Sequence, residues 1–82
     1  MQTFIMKIEN SWQPIDEEES TTETIREYEF SDDIDLTCWN NATFWTYYDE
    51  ESGEDGMSEG YFGFFQWLEE LPENSYSLIQ RM

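Results

Sequence analysis

Aspartate and glutamate are the side chains of this 82-residue sequence that are numerous enough to dominate its chemistry. The chain has 20 of them against three lysines and arginines, and its formal net charge is −17. In residues 24–39 (TIREYEFSDDIDLTCW) the acids alternate with apolar residues, so that Glu27 and Glu29 would share one face of a strand. The solvent-exposed face of such a strand would be almost purely anionic, which is unusual for a segment that folds.

Catalysis is one use of carboxylates, because a pair of them can work as acid and base. Twenty carboxylates produce pairs by number alone, however, and a chain of 82 residues has little room for a deep pocket. The sequence has no histidine, which excludes Ser–His and Cys–His nucleophile pairs. It also has no glycine-rich phosphate loop. We therefore expect no enzyme activity and no cofactor.

Calcium binding is a second use of carboxylates, and the acidic stretch DEESGEDG is the candidate for an EF-hand loop. An EF-hand needs acidic ligands at loop positions 1, 3 and 5 and a glutamate at position 12. A loop starting at Glu51 has Gly53 at position 3 and Phe62 at position 12, so the pattern fails. No specific metal site is predicted.

The elements that must carry the acids are predicted from periodicity as a single α+β domain over residues 1–82. We expect a small, mostly antiparallel β-sheet of four to five strands with one amphipathic helix near residues 58–71, beginning at Ser58 and ending before Pro72. Residues 10–23 and 49–57 are expected to be loops. The predicted strands are 3–9, 24–30, 33–39, 42–48 and 75–81.

Residues 33–39 and 42–48 are predicted to form a hairpin closed by Asn40 and Asn41. Pairing Trp39 with Ala42 collects one buried face, made of Ile34, Leu36, Cys38, Trp45 and Tyr47. The opposite face would hold Asp33, Asp35, Thr37, Phe44, Thr46 and Tyr48. Cys38 is thus expected to be a small buried hydrophobe. Asp33 and Asp35 would continue the row of Glu27 and Glu29 as a two-row anionic ladder, with no base opposite.

Binding to a basic protein surface is the third use, and the charge favours it. A sphere of this mass has a radius of gyration of about 12 Å, hence a diameter of roughly 30 Å. About 18 phosphates lie on the same length of duplex DNA, close to the net charge of −17. Nucleic acid and anionic membranes are excluded as direct partners, because they need cationic patches.

The predicted partner is therefore a basic, nucleic-acid-binding protein. Exposed aromatic residues such as Trp12, Phe44 and Tyr48 are expected to anchor it. An acidic run is more simply explained as a solvent-exposed face or as halophilic adaptation. The aromatic content of 18%, however, suits a well-packed core better than the lightly packed core of a halophilic protein. The candidate contact residues are Asp16, Glu17, Glu18, Glu19, Glu27, Glu29, Asp32, Asp33, Asp35, Asp49, Glu50, Glu51, Glu54 and Asp55.

The small single domain, the extreme acidity and the alternation Glu27-Tyr28-Glu29-Phe30 together resemble the DNA-mimic inhibitors of phages and mobile elements. Anti-CRISPR proteins, anti-restriction proteins and uracil-DNA glycosylase inhibitors belong to that class. The resemblance covers composition along the whole chain and includes no family-specific motif. It implies a stoichiometric inhibitor that occupies the nucleic-acid-binding surface of a host defence enzyme, with an anti-CRISPR protein placed first.

Two alternatives share the same physics. One is an immunity protein or antitoxin against a basic nuclease toxin, and the other is an acidic adaptor that binds a basic protein. The start MQTFIMKIEN has neither the basic residues nor the apolar run of a signal peptide, and the lone Cys38 cannot form an internal disulfide. We therefore expect the protein in the cytoplasm of the host cell.

Overall fold

A five-stranded mixed sheet with one helix on one face makes up the fold. The computed structural model describes residues 1–81, with side chains as far as Ile79. Within this range a short 3-10 helix occupies Thr37–Trp39. The main elements are β1 (Gln2–Gln13), β2 (Ser20–Phe30), β3 (Phe44–Asp49), β4 (Asp55–Met57), α1 (Glu59–Glu70) and β5 (Tyr76–Arg81).

The strand order is β4-β3-β1-β2-β5. The β1–β3 pair is parallel and the other three pairs are antiparallel. The prediction of an α+β fold with a mostly antiparallel sheet and one helix is confirmed.

Strands β1 and β2 pair as a hairpin and are both much longer than the predicted strands 3–9 and 24–30, so the expectation of a loop over residues 10–23 was wrong. Asn10 explains the difference, because its polar side chain is satisfied inside the sheet. Its amide donates to Thr24 Oγ1 at 2.8 Å, and the Thr46 hydroxyl donates to its Oδ1 at 2.8 Å. The threonines of residues 20–24 add β-branched side chains that suit a strand. Only the six residues 14–19 turn the chain, with Asp16 at φ 60°.

Helix α1 begins and packs as the sequence predicted. The Ser58 hydroxyl accepts from the Tyr61 N–H at 3.1 Å, which caps the helix, and donates to the Thr43 carbonyl at 2.8 Å, which joins the helix to the start of β3. Phe64 is fully buried. Its ring lies 5.4 Å from that of Phe4, so the helix packs directly on β1. The buried core consists of Met6, Ile8, Tyr28, Phe30, Phe44, Tyr61, Phe64 and Leu68.

The predicted hairpin of residues 33–39 and 42–48 was wrong, because residues 33–39 are not a strand. The Asp35 carboxylate accepts from the Thr37 N–H at 2.9 Å and from the Thr37 hydroxyl at 2.6 Å. This local turn leads into the 3-10 helix, so the backbone cannot continue extended. Strand β3 pairs instead with β1, in parallel.

The change of partner also reverses the faces of β3. Phe44 is buried against Phe64, with ring centroids 5.8 Å apart, whereas Trp45 is 44% exposed. The expected burial of Cys38 was also wrong, because its side chain is exposed. Ile34 and Leu36 do pack against the core from the loop.

The molecule is elongated rather than spherical. Its principal extents are 49 × 22 × 21 Å, and its radius of gyration is 14.9 Å. The 12-residue β1 and 11-residue β2 cause this shape, because they extend past the short helix. No helix within residues 1–81 has the length and apolar character needed to cross a membrane.

Candidate protein-binding surface

Two acidic loops meet at one end of the molecule. Strands β1 and β3 run parallel, so both end on the same side, where Gln13 lies opposite Asp49. The Glu50 N–H donates to the Gln13 carbonyl at 2.9 Å, which joins the two chain segments just beyond the sheet. We call residues 14–19 and 49–55 the acidic end. Its nine carboxylates belong to Asp16, Glu17, Glu18, Glu19, Asp49, Glu50, Glu51, Glu54 and Asp55.

Hydrogen bonds hold both loops in a defined shape. In the first loop, Gln13 Nε2 donates to the Glu17 carbonyl at 2.9 Å. In the second, Asp49 Oδ1 accepts from the Glu51 N–H at 3.0 Å, and the Asp49 N–H donates to the Glu54 carbonyl at 2.8 Å. Gly53 adopts φ +74°, a left-handed conformation that glycine takes without steric cost. The carboxylates are therefore carried on short turns that hydrogen bonds hold in place.

The electrostatics of Tyr47 show that the two loops share one field. Partial burial raises the pKa of the Tyr47 hydroxyl, and the negative charges of Asp49, Glu54 and Glu19 raise that pKa further. Glu19 belongs to the first loop, and the other two acids belong to the second. Both loops therefore act on the same hydroxyl.

Among the side chains that the structure describes, no cation pairs with these carboxylates. Among the side chains described, one ion pair is present, between the Met1 amine and Asp32 at 3.0 Å. The same part of the chain contains no group of three or more acidic or thiol side chains that could hold a metal ion. The acidic end thus offers its charges to solvent or to a partner.

An apolar patch adjoins the acidic end. Trp12 and Tyr48 are direct partners across β1 and β3 and are each 43% exposed. They lie four residues beyond the core pair Ile8 and Phe44, about 13 Å along the strands. Met57, which pairs with Thr46, is equally exposed at the neighbouring position. We call Trp12, Tyr48 and Met57 the apolar patch.

Of the three aromatic anchors predicted from sequence, Trp12 and Tyr48 are exposed as expected. Phe44 is not, because it belongs to the core.

The remaining predicted contact residues do not form the expected ladder. Glu27 and Glu29 do lie on the uncovered face of the sheet, half-buried, but they are opposite Ile5 and Thr3. Asp33 and Asp35 belong to the loop after β2, so the second row is absent from the sheet. Asp32 pairs with the amino terminus. The two-row ladder was therefore wrong.

The charge comparison with DNA fails for the whole chain, and the acidic end alone comes nearer to the charge density of a duplex. A duplex as long as the 49 Å molecule carries about 29 phosphates, far more than the net charge of −17. The acidic end lies on a cross-section of 22 × 21 Å, and about 12 phosphates occupy that length of duplex. Nine carboxylates on this cross-section come close to that density.

Comparisons of this chain with known protein families, with curated proteins and with solved structures found no match.

Proposed function

We propose that this protein is a DNA-mimic inhibitor that uses its acidic end to occupy the nucleic-acid-binding surface of a host defence enzyme. A CRISPR effector is the first target to test, followed by a restriction enzyme and a uracil-DNA glycosylase. The observation that carries the proposal is the meeting of two acidic loops beside Trp12 and Tyr48.

The charges favour a partner that normally holds phosphates. Arginine and lysine in such a surface recognise carboxylates by the same charge-assisted hydrogen bonds. The carboxylates of the acidic end are not engaged by any described cation, so a partner would not have to break internal ion pairs. A concentrated negative field also speeds association with a positive surface.

The apolar patch supplies what charge alone does not. Exposed ion pairs contribute little affinity, and well-packed aromatic residues dominate most interfaces. Arginine stacks on aromatic faces while its guanidinium binds carboxylates. The arrangement of Trp12 and Tyr48 next to the acidic loops therefore fits an arginine-rich groove better than a diffuse basic surface.

The test measures DNA cleavage by a purified CRISPR effector nuclease with increasing amounts of the protein. We expect cleavage to stop near one molecule per nuclease, with competition against target DNA for binding. We also expect the affinity to fall at least tenfold when the salt concentration rises from 50 to 500 mM, in the manner of phosphate-binding surfaces. Restriction cleavage and uracil excision are assayed in parallel.

Two variants with the same charge change separate the acidic end from general acidity. Asp16, Glu17, Glu18 and Glu19 are changed to the corresponding amides in the first variant. The second changes Asp33, Glu69, Glu70 and Glu73, which are exposed at the opposite end. Inhibition should weaken strongly in the first and little in the second. Equal loss in both, or inhibition that is insensitive to salt, would contradict the proposal.

A further inference from the structure

One part of the central strand β1 has a free edge. The Gln13 carbonyl accepts a hydrogen bond from the N–H of Glu50, the residue that follows β3, so the backbone N–H and C=O of Gln13 point towards β3. The register of β1 with β2 is uninterrupted, so the other odd-numbered residues of β1 point the same way. Strand β3 begins pairing only at Ile8. Within residues 1–81, the N–H and C=O groups of Thr3 and Ile5 therefore have no strand partner on that side, nor does the Lys7 N–H.

A groove of about 870 Å³ lies along this free edge. One wall is β1 itself at Phe4, Ile5 and Lys7, and the other is the loop at Trp39, Ala42 and Thr43. This volume lies within the range of about 300–1,000 Å³ typical of binding pockets. The groove is therefore large enough to admit more than a side chain.

The lining of the groove differs between the two faces of the sheet. On the helix side it is aromatic, with Phe4, Trp39 and Phe44. On the uncovered side it combines the exposed apolar side chains of Ile5 and Trp45 with the cation Lys7 and with Glu9 and Glu23, which are direct partners across β1 and β2. Like charges opposite each other in a sheet are unfavourable, so a cation placed between Glu9 and Glu23 would relieve their repulsion.

We propose that the groove binds an extended segment of another protein as a sixth strand, paired with Thr3, Ile5 and Lys7 of β1. Strand addition supplies main-chain hydrogen bonds, and alternate side chains then enter opposite faces. On the helix side the lining favours apolar residues next to Phe4 and Trp39. On the uncovered side it favours long basic residues that reach past Lys7 to the carboxylates of Glu9 and Glu23. The occupant is thus a strand in which apolar and basic residues alternate.

A second copy of this chain is a poor occupant. Each copy carries a formal charge of −17 and has three basic residues, so edge-to-edge pairing would bring two strongly anionic surfaces together. A basic strand gains from the same field. The groove lies at the start of β1 and the acidic end follows its last residue, so this inference does not depend on the proposed function.

The probe is a hexapeptide of alternating valine and lysine with blocked termini. Its binding is measured by NMR and by amide hydrogen exchange of the full chain. In the free protein, we expect the amides of Thr3 and Ile5 to exchange rapidly and those of Phe4 and Met6 slowly. The peptide should protect Thr3, Ile5 and Lys7 selectively. A control peptide N-methylated on the amides that face β1 keeps the charge and should bind at least about tenfold more weakly.

Two variants of the protein test the same site independently of changes in the peptide. Thr43→Trp fills the groove from an exposed position, and Thr21→Trp places the same bulk at an exposed site outside the groove. Peptide binding should be lost in the first and retained in the second, with both folded by near-ultraviolet circular dichroism. Equal binding of the N-methylated peptide, protection spread over the whole sheet, or dimers of the chain without peptide would each overturn the proposal.

Discussion

At the scale of single residues, hydrogen bonds made by short polar side chains decide where strands continue and where they stop. Asn10 sits inside β1 because Thr24 and Thr46 satisfy its amide group. Asp35 ends an apparently alternating segment because Thr37 donates to it twice. Asn10 lies in a segment predicted to be a loop, and Asp35 lies in one predicted to be a strand. In both cases the hydrogen-bond partner overrides the local pattern.

Removing the Thr37 hydroxyl tests the turn at Asp35. The two donations from Thr37 hold the pKa of the Asp35 carboxyl below its ordinary value of 3.8. A lowered pKa in the folded state favours folding above the ordinary carboxyl range, and this contribution disappears as the pH falls through the lowered value. We expect Thr37→Ala to raise the pKa of Asp35, measured by a carbon-detected NMR titration. An unchanged midpoint would show that the hydroxyl contributes nothing to the turn.

At the scale of elements, the helix and the terminal strands could be predicted from sequence, and the partner of β3 could not. The stripe of Tyr61, Phe64 and Leu68 has helical spacing and is buried as expected. The segment 42–48 was correctly assigned as a strand, but an antiparallel hairpin is the default for neighbouring strands. Its true partner, β1, lies more than 30 residues away along the chain, and no local pattern encodes that pairing.

The start of α1 provides an element-scale prediction with a matched pair of glycines. A Cβ added to Gly60 would lie 2.6 Å from the Thr43 carbonyl oxygen, a backbone atom that already accepts the Ser58 hydroxyl. A Cβ at Gly63 would meet Trp39 at 3.7 Å, an ordinary contact. We expect Gly60→Ala to lower the free energy of unfolding by about 1–3 kcal/mol.

The control, Gly63→Ala, should raise the free energy of unfolding by about 0.5–1 kcal/mol, because alanine favours the helix. Urea titration of both variants measures the difference. If both substitutions stabilise the protein, the close approach of α1 to Thr43 is not a constraint on the fold.

At the scale of the whole molecule, the sequence indicated how much charge the protein carries, whereas the topology decides where that charge lies. Residues 16–19 and 49–55 are acidic in the sequence, so each loop could be nominated as a contact segment. Their meeting at one end follows from the parallel pairing of β1 with β3, which the sequence did not reveal. The two acidic segments therefore lie together at one end of an elongated molecule.

The free edge of β1 has a consequence for protein aggregation. An unpaired strand edge is a template for other chains, and natural proteins commonly protect such edges with charge. Here the formal net charge of −17 opposes contact between copies, and the sequence reaches zero net charge near pH 4.1. We expect the protein to assemble into β-rich fibrils near that pH, which thioflavin fluorescence and light scattering would detect. The variant Thr43→Trp should delay fibril formation. If the protein instead stays soluble as a monomer at pH 4.1, the loop at Trp39, Ala42 and Thr43, rather than the net charge, prevents pairing at the free edge of β1.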